Sequence, residues 1–221
     1  MDSLEQYNDN VKNKHEYLVS NGWLDTDIEY RINSDGFRCE ELLTSKSIMS
    51  FGCSYTLGVG LPENYTWPFL VAKYANLANY NLGIAGGSND TAFRLSQYYI
   101  PLIKPEIVLF LSAPEYRLEL IKDDNEVRLM HPARSKWSTD PAYQPFYQDW
   151  ISGETNAVMN LRKNVLAVEN MCNQFNIKFI HVHYTEFKRL DFARDLAHYG
   201  IRSNKEMADN FTKKLFEEWQ Y

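Results

Sequence analysis

Ile48-Met49-Ser50-Phe51-Gly52-Cys53-Ser54-Tyr55-Thr56-Leu57-Gly58 decides how this chain is read. A short apolar run, Ile48–Phe51, predicts a buried strand. Gly52 and Gly58 then bracket a sharp strand-to-helix turn, and Ser54 stands on it. Three further apolar runs follow, at Tyr80–Ile84, Ile107–Leu111 and Ile177–His183. Helical spacing is present at Trp67–Leu77, Thr91–Ile103, Asn156–Phe175 and Asn204–Trp219. Strand and helix alternate, and the strands are continuously apolar. That pattern predicts an α/β chain with a parallel sheet covered on both faces. In open sheets of this kind the active crevice lies outside the carboxyl ends of the strands.

Outward from this frame, residues 3 to 20 place Leu4, Tyr7, Val11, His15 and Leu18 at helical spacing. They predict an amphipathic helix on the outside, ending near Asn21-Gly22, so that residues 1–27 form an N-terminal helical extension. Ile28–Ile32 alternates like a short strand, and Asn33-Ser34-Asp35-Gly36 is a turn with glycine where a positive φ is wanted. Residues 119–153 break the rhythm. With Pro132, Pro141 and Pro145 among Trp137, Tyr143, Phe146, Tyr147 and Trp150, they are too long for an ordinary connection and too aromatic for a solvated linker. A folded insertion on the rim, or a lid over the site, is expected. The whole of 1–221 reads as one domain.

Bulk properties exclude several classes. A net charge of −6 argues against a nucleic-acid partner. No run of about 18 apolar residues is present to span a membrane. The opening Met1-Asp2-Ser3-Leu4-Glu5-Gln6 lacks the basic and apolar regions of a secretory signal. Cys39, Cys53 and Cys172 are scattered and odd in number, which suits reduced thiols and a cytoplasmic setting. His181 and His183 share one strand face, but no third ligand is spaced to join them, so no metal site is assigned. Neither GxGxxG nor GxxxxGK[ST] occurs, and no cofactor is implied.

The remaining candidates are the parts of an activated serine. Ser54 lies at the first strand end, and Asp195-Leu196-Ala197-His198 precedes the last helix. A serine hydroxyl needs an imidazole to take its proton, and the imidazole needs a group to set its tautomer. Ser54 could equally be a helix N-cap. After the second strand comes Gly83-Ile84-Ala85-Gly86-Gly87-Ser88-Asn89-Asp90, where a glycine amide or the Asn89 side chain could face an oxyanion. Asn89 is also a good cap for the helix that follows, the role favoured here. Glu115 and Arg117, after the third strand, form a surface pair or line the crevice together with Trp137 and Tyr143.

A small-residue–Ser turn, a glycine-bearing loop and Asp-x-x-His resemble the SGNH (GDSL-type) hydrolases, which share a three-layer αβα flavodoxin-like fold. Asn33-Ser34-Asp35-Gly36-Phe37-Arg38 is similar to a lead-in of one branch, and Gly58-Val59-Gly60 through Glu63-Asn64-Tyr65-Thr66-Trp67-Pro68 to the stretch after its nucleophile. The resemblance implies Ser54 as nucleophile, His198 as base, Asp195 as orienting carboxylate, and an oxyanion hole from Ser54 and Gly86. It departs at Cys53, where the family carries Asp, and at Ser112-Ala113-Pro114-Glu115, where the family's G-x-N-D supplies an asparagine donor; Asn89 is the candidate substitute. The implied activity is an ester hydrolase or acyl transferase acting on a small or carbohydrate-borne acyl group. The alternative is a catalytically impaired module that binds a glycan or protein partner in the same crevice.

Overall fold

The computed structural model describes residues 2–130, 141 and 144–217. Its core is a parallel sheet of β1 (Ser47–Phe51), β2 (Ala78–Asn81), β3 (Ile107–Leu111) and β6 (Lys178–Val182), in the order β2-β1-β3-β6. β1 and β3 are buried at every position, as a central strand covered on both faces requires. Alternate residues serve opposite faces. Met49, Phe51, Val108 and Phe110 pack with α5 (Asn89–Ile103) and α7 (Glu154–Gln174). Ile48, Ile107, Leu109 and Leu111 pack with α4 (Trp67–Ala75) and α8 (Ile201–Glu217), where the Trp67 and Phe211 rings stack at 4.4 Å. This is the three-layer α/β architecture, with the flavodoxin-like strand order.

The chain runs from β1 to β2 on one side and then crosses to β3 on the other. The reversal opens a crevice at the carboxyl ends of β1 and β3. α3 (Ser54–Leu57) leaves from the first of these ends, and the stretch 112–117 from the second.

Two expected elements are changed. The N-terminal helix is interrupted at Lys14 into α1 (Leu4–Asn13) and α2 (His15–Ser20). It is not peripheral, because Leu18 and Trp23 pack with Leu61 and Ala193 beside the loop that carries His198. Ile28–Ile32 forms no strand. Side chains and carbonyls pin it instead: the Tyr30 hydroxyl accepts from the Gly60 amide (2.7 Å) and donates to Asp2, and the Glu29 carbonyl accepts from Arg38 (3.2 Å). Of the insertion, residues 118–130 form an antiparallel hairpin, β4 (Leu118–Ile121) with β5 (Val127–Met130), and α6 spans Gln144–Ser152. Glu119 anchors the hairpin to α5 by accepting from Arg94 (2.6 Å) and Thr91 (2.7 Å). No helix among the described residues is long and apolar enough to cross a membrane.

Candidate active site

The turn after β1 is built from close contacts. A Cβ at Gly52 would lie 2.1 Å from Thr56 Oγ1 and 2.7 Å from the Leu111 carbonyl, so only glycine lets the chain leave the sheet here. Cys53 is the N-cap of α3, and Ser54 is its first residue, so Ser54 is not a capping residue. The turn is locked from behind by Arg38, fully buried, which donates to the carbonyls of Leu57 (3.2 Å), Gly58 (2.7 Å) and Leu61 (2.7 Å). A cation on the last carbonyls of a helix suits both their charge and their unfilled lone pairs. Asn81 adds a bond to the Thr56 carbonyl at 2.8 Å. The lead-in motif is therefore the rear support of the serine turn.

Asp195 and His198 form a tight pair. His198 Nδ1 lies 2.5 Å from Asp195 Oδ2, with the two side chains only 13% and 3% exposed. Asp195 Oδ1 accepts from the amides of Ala197 and His198, both at 3.0 Å. Leu196, at φ +54°, takes the left-handed turn that folds these amides back, a conformation unusual for leucine. Burial pushes the Asp195 carboxyl up, but the hydrogen bond and charge of His198 and the two amides outweigh it and hold it below its ordinary value. The loop is braced from the N-terminal segment. Asn10 donates to the Asp195 carbonyl (3.3 Å), Arg194 pairs with Asp2 (2.8 Å), and Trp23 donates to the Phe192 carbonyl (2.6 Å). Among the described residues no protein group bonds His198 Nε2.

The serine turn and this loop meet at one sheet end. Tyr55, next to Ser54, presents its ring edge-on to His198 with centroids 5.9 Å apart. The Arg194 amide donates to the Gly60 carbonyl at 3.0 Å. Tyr55 also packs on Tyr199 at 4.6 Å. Its adjacency to Ser54 was the only sequence signal for this role. Asn10 offered no comparable signal.

The glycine loop differs from expectation. Gly86 turns at φ +79°, with Leu129 of β5 as its nearest side-chain neighbour. The helix after it begins at Asn89, and its cap is Ser88, in a capping box with Thr91. Asn89 is thus not the cap. Its buried side chain accepts from the Ala113 amide (2.9 Å) and donates to the Ala113 carbonyl (3.1 Å), clamping the glycine loop to the end of β3. Both ends of the amide are engaged, because leaving the Ala113 backbone groups buried and unpaired would be costly.

Glu115 and Arg117 do not pair with each other. Glu115 Oε1 lies 2.7 Å from His183 Nε2, and Oε2 accepts from the Tyr184 hydroxyl at 3.5 Å. Arg117 is only 6% exposed and turns instead toward the glycine loop, with Nη1 3.4 Å from the Gly87 carbonyl. The His181 ring packs against Phe110, with centroids 5.5 Å apart. Burial, aided by the nearby charge of His183, lowers the His181 imidazole to about 4. Trp137 and Tyr143 lie outside the described residues. Trp150 of α6 donates to the Tyr116 carbonyl at 3.0 Å, at the rim of the crevice.

No family model and no curated protein matches the sequence. Among solved structures the chain is similar to the psychrotrophic esterase EstA from a Pseudoalteromonas species, at 13% identity over 80% of this chain and 100% of that one, with a TM-score of 0.45. It is also similar to the acetyl xylan esterase Est2A from Butyrivibrio proteoclasticus, at 12% identity over 80% of this chain and a TM-score of 0.43. The match spans 64% of the length of Est2A. A carbohydrate acetylesterase family member from Sinorhizobium meliloti is similar at 12% identity over 77% of this chain and 97% of that one, with a TM-score of 0.40.

Proposed function

We propose that the chain is a serine esterase or acyl transferase of the SGNH type, with Ser54 as nucleophile, His198 as general base and Asp195 as its orienting carboxylate. The observation that carries this is the Asp195–His198 pair at 2.5 Å, with no hydrogen bond to Nε2 among the described residues, at the strand end that holds Ser54. Asp195 fixes the proton on Nδ1, which leaves the Nε2 lone pair to accept the Ser54 proton as Oγ attacks an ester carbonyl. The amides of Ser54 and Gly86 receive the oxyanion. His198 returns the proton to the leaving alcohol, and an acyl-Ser54 ester remains. Water or an acceptor hydroxyl, activated by the same nitrogen, then attacks it, giving hydrolysis or transfer.

The acyl carrier is a small molecule or a carbohydrate. Tyr55, Tyr184 and Tyr199 around the crevice supply flat apolar faces of the kind a sugar ring stacks on. Three free, buried cysteines suit a reducing compartment, the cytoplasm. We regard the chain as one domain in which residues 1–27 brace the His198 loop and, of the insertion, Trp150 bonds the Tyr116 carbonyl at the crevice rim.

One observation favours the binding-only alternative. Glu115 occupies the place of the family's asparagine and is engaged by His183, while the Asn89 amide is bonded to Ala113. The oxyanion would then rely on two backbone amides, and removing one donor typically costs about 10²–10³ in rate. A fluorophosphonate probe with peptide mapping separates the two. Covalent labelling of Ser54, lost in His198→Ala, is the expected result; an unlabelled Ser54 in folded protein would leave the binding module.

A further inference from the structure

Beside the glycine loop lies a buried cation, and the neighbouring described acids Glu115, Glu119 and Asp90 are engaged elsewhere. Arg117 is 6% exposed, its Nε is buried without a partner, and Nη1 has only the 3.4 Å contact with the Gly87 carbonyl. Three acids stand near it in the chain or the fold. Glu115 is taken by His183 and Tyr184. Glu119 is taken by Arg94 and Thr91. Asp90 accepts from Asn160 (2.9 Å), Asn164 (2.8 Å) and the Glu119 amide (3.1 Å). Arg38, whose Nε is likewise buried without a partner, still has both terminal nitrogens on backbone carbonyls, four of them at 2.7–3.2 Å, with the Tyr30 ring 4.2 Å away. Arg117 has no such shell. A buried charge without partners is expensive, and sites for charged ligands are where proteins retain one.

Its position says which ligand. Arg117 reaches the carbonyl of Gly87, next to Gly86, in the glycine loop that Asn89 clamps to the end of β3. Nη1 has a single long contact and Nη2 no hydrogen bond among the described residues, and these two terminal nitrogens form a fork matched to two oxygens of a carboxylate. We propose that Arg117 anchors a carboxylate carried by the ester, so that the substrate is an acylated acid rather than a neutral ester. This rests on the esterase function proposed above for Ser54.

The test uses inert amide analogues of an acetyl ester, 4-acetamidobenzoate and neutral acetanilide, titrated into the full chain by calorimetry. The carboxylate ligand should bind at least tenfold more tightly than acetanilide, and Arg117→Gln should close that gap. Arg117→Lys should keep part of it, because the charge remains while the fork is lost. If Arg117→Gln does not fold, Arg117→Lys carries the test, with a shrinkage of about threefold or more expected. Equal binding of the two ligands, or a gap that survives the substitution, overturns the proposal. Because no bond is broken, the outcome is independent of Ser54 reactivity. A gap dependent on Arg117 with an unlabelled Ser54 would uphold the anion site and refute the esterase, and labelling without a gap would do the reverse.

Discussion

Two histidine–carboxylate pairs lie at the carboxyl ends of this sheet, and they differ in what the second ring nitrogen does. In Asp195–His198 the carboxylate is buried and amide-braced, one imidazole nitrogen is held at 2.5 Å, and the other has no hydrogen-bond partner among the described residues. In Glu115–His183 both residues are about a quarter exposed, and both nitrogens are occupied: Nε2 by Glu115 at 2.7 Å, Nδ1 by Thr185 Oγ1 at 2.5 Å. His183 also caps the short turn Tyr184–Glu186. Proximity of histidine to carboxylate does not by itself make a base. A ring whose two nitrogens are both engaged is a strut, whereas one held at a single nitrogen by a rigid acceptor is positioned for proton transfer.

The strongest way to break this comparison is to remove each ring. His198→Ala and Ser54→Ala should each lower kcat on a short-chain aryl ester by roughly 10⁴–10⁶-fold, and the double variant should be scarcely worse than either alone. His183→Ala should cost less than about tenfold, as expected for a partly exposed pair. Equal losses for the two histidines, measured in steady state on folded protein, would abolish the distinction.

Changing only the carboxylates sharpens it. Asp195→Asn should cut kcat by roughly 10³–10⁴-fold with the fold retained, since the imidazole loses the acceptor that sets its tautomer. Glu115→Gln should leave kcat within about threefold, because an exposed pair contributes about 1 kcal/mol or less. A Glu115→Gln loss approaching that of Asp195→Asn would mean that Glu115 reaches the reacting atoms.

The smallest expected effect concerns His181, the histidine that has neither partner. Its imidazole sits at about 4 in the fold against 6.5 for a free side chain. Between those values the unfolded chain binds the extra proton, so stability is full above about pH 6.5 and erodes as pH falls toward 4, by at most about 1.4 kcal/mol per unit. His181→Leu should shrink the difference in unfolding free energy between pH 7 and pH 5, read from urea titrations, by about 1–2 kcal/mol. An unchanged difference would show that the acid sensitivity arises elsewhere.

Much of the scaffold was legible before any coordinates. Ile48–Phe51, apolar but for Ser50, and the wholly apolar Ile107–Leu111 carry the pattern of central parallel strands covered on both faces. The turn at Asn33–Gly36 and the helices after each strand followed from equally local signals. Asp195 and His198 are only three residues apart, so their pairing is a matter of one loop's conformation. Where prediction failed, the deciding partner was distant in sequence. Asn89 was expected to cap its own helix or face an oxyanion, but Ala113, 24 residues away, offered two buried backbone groups that needed satisfying. Glu115 and Arg117 were read as a surface pair or as lining the crevice; they do not pair, because Glu115 lies 2.7 Å from His183 and Arg117 is buried with Nη1 toward the Gly87 carbonyl.

Sequence alone determined the continuous burial of the central strands, the serine turn with its obligatory glycine, and the Asp-x-x-His spacing, because each depends on residues within a few bonds of one another. Only the tertiary structure decided which histidine keeps a nitrogen without a hydrogen bond among the described residues, which buried arginine is left with one long contact there, and that Asp2, Asn10 and Trp23 brace the His198 loop. Those outcomes depend on which polar groups the fold brings together out of water, where each must find a partner that local sequence does not name.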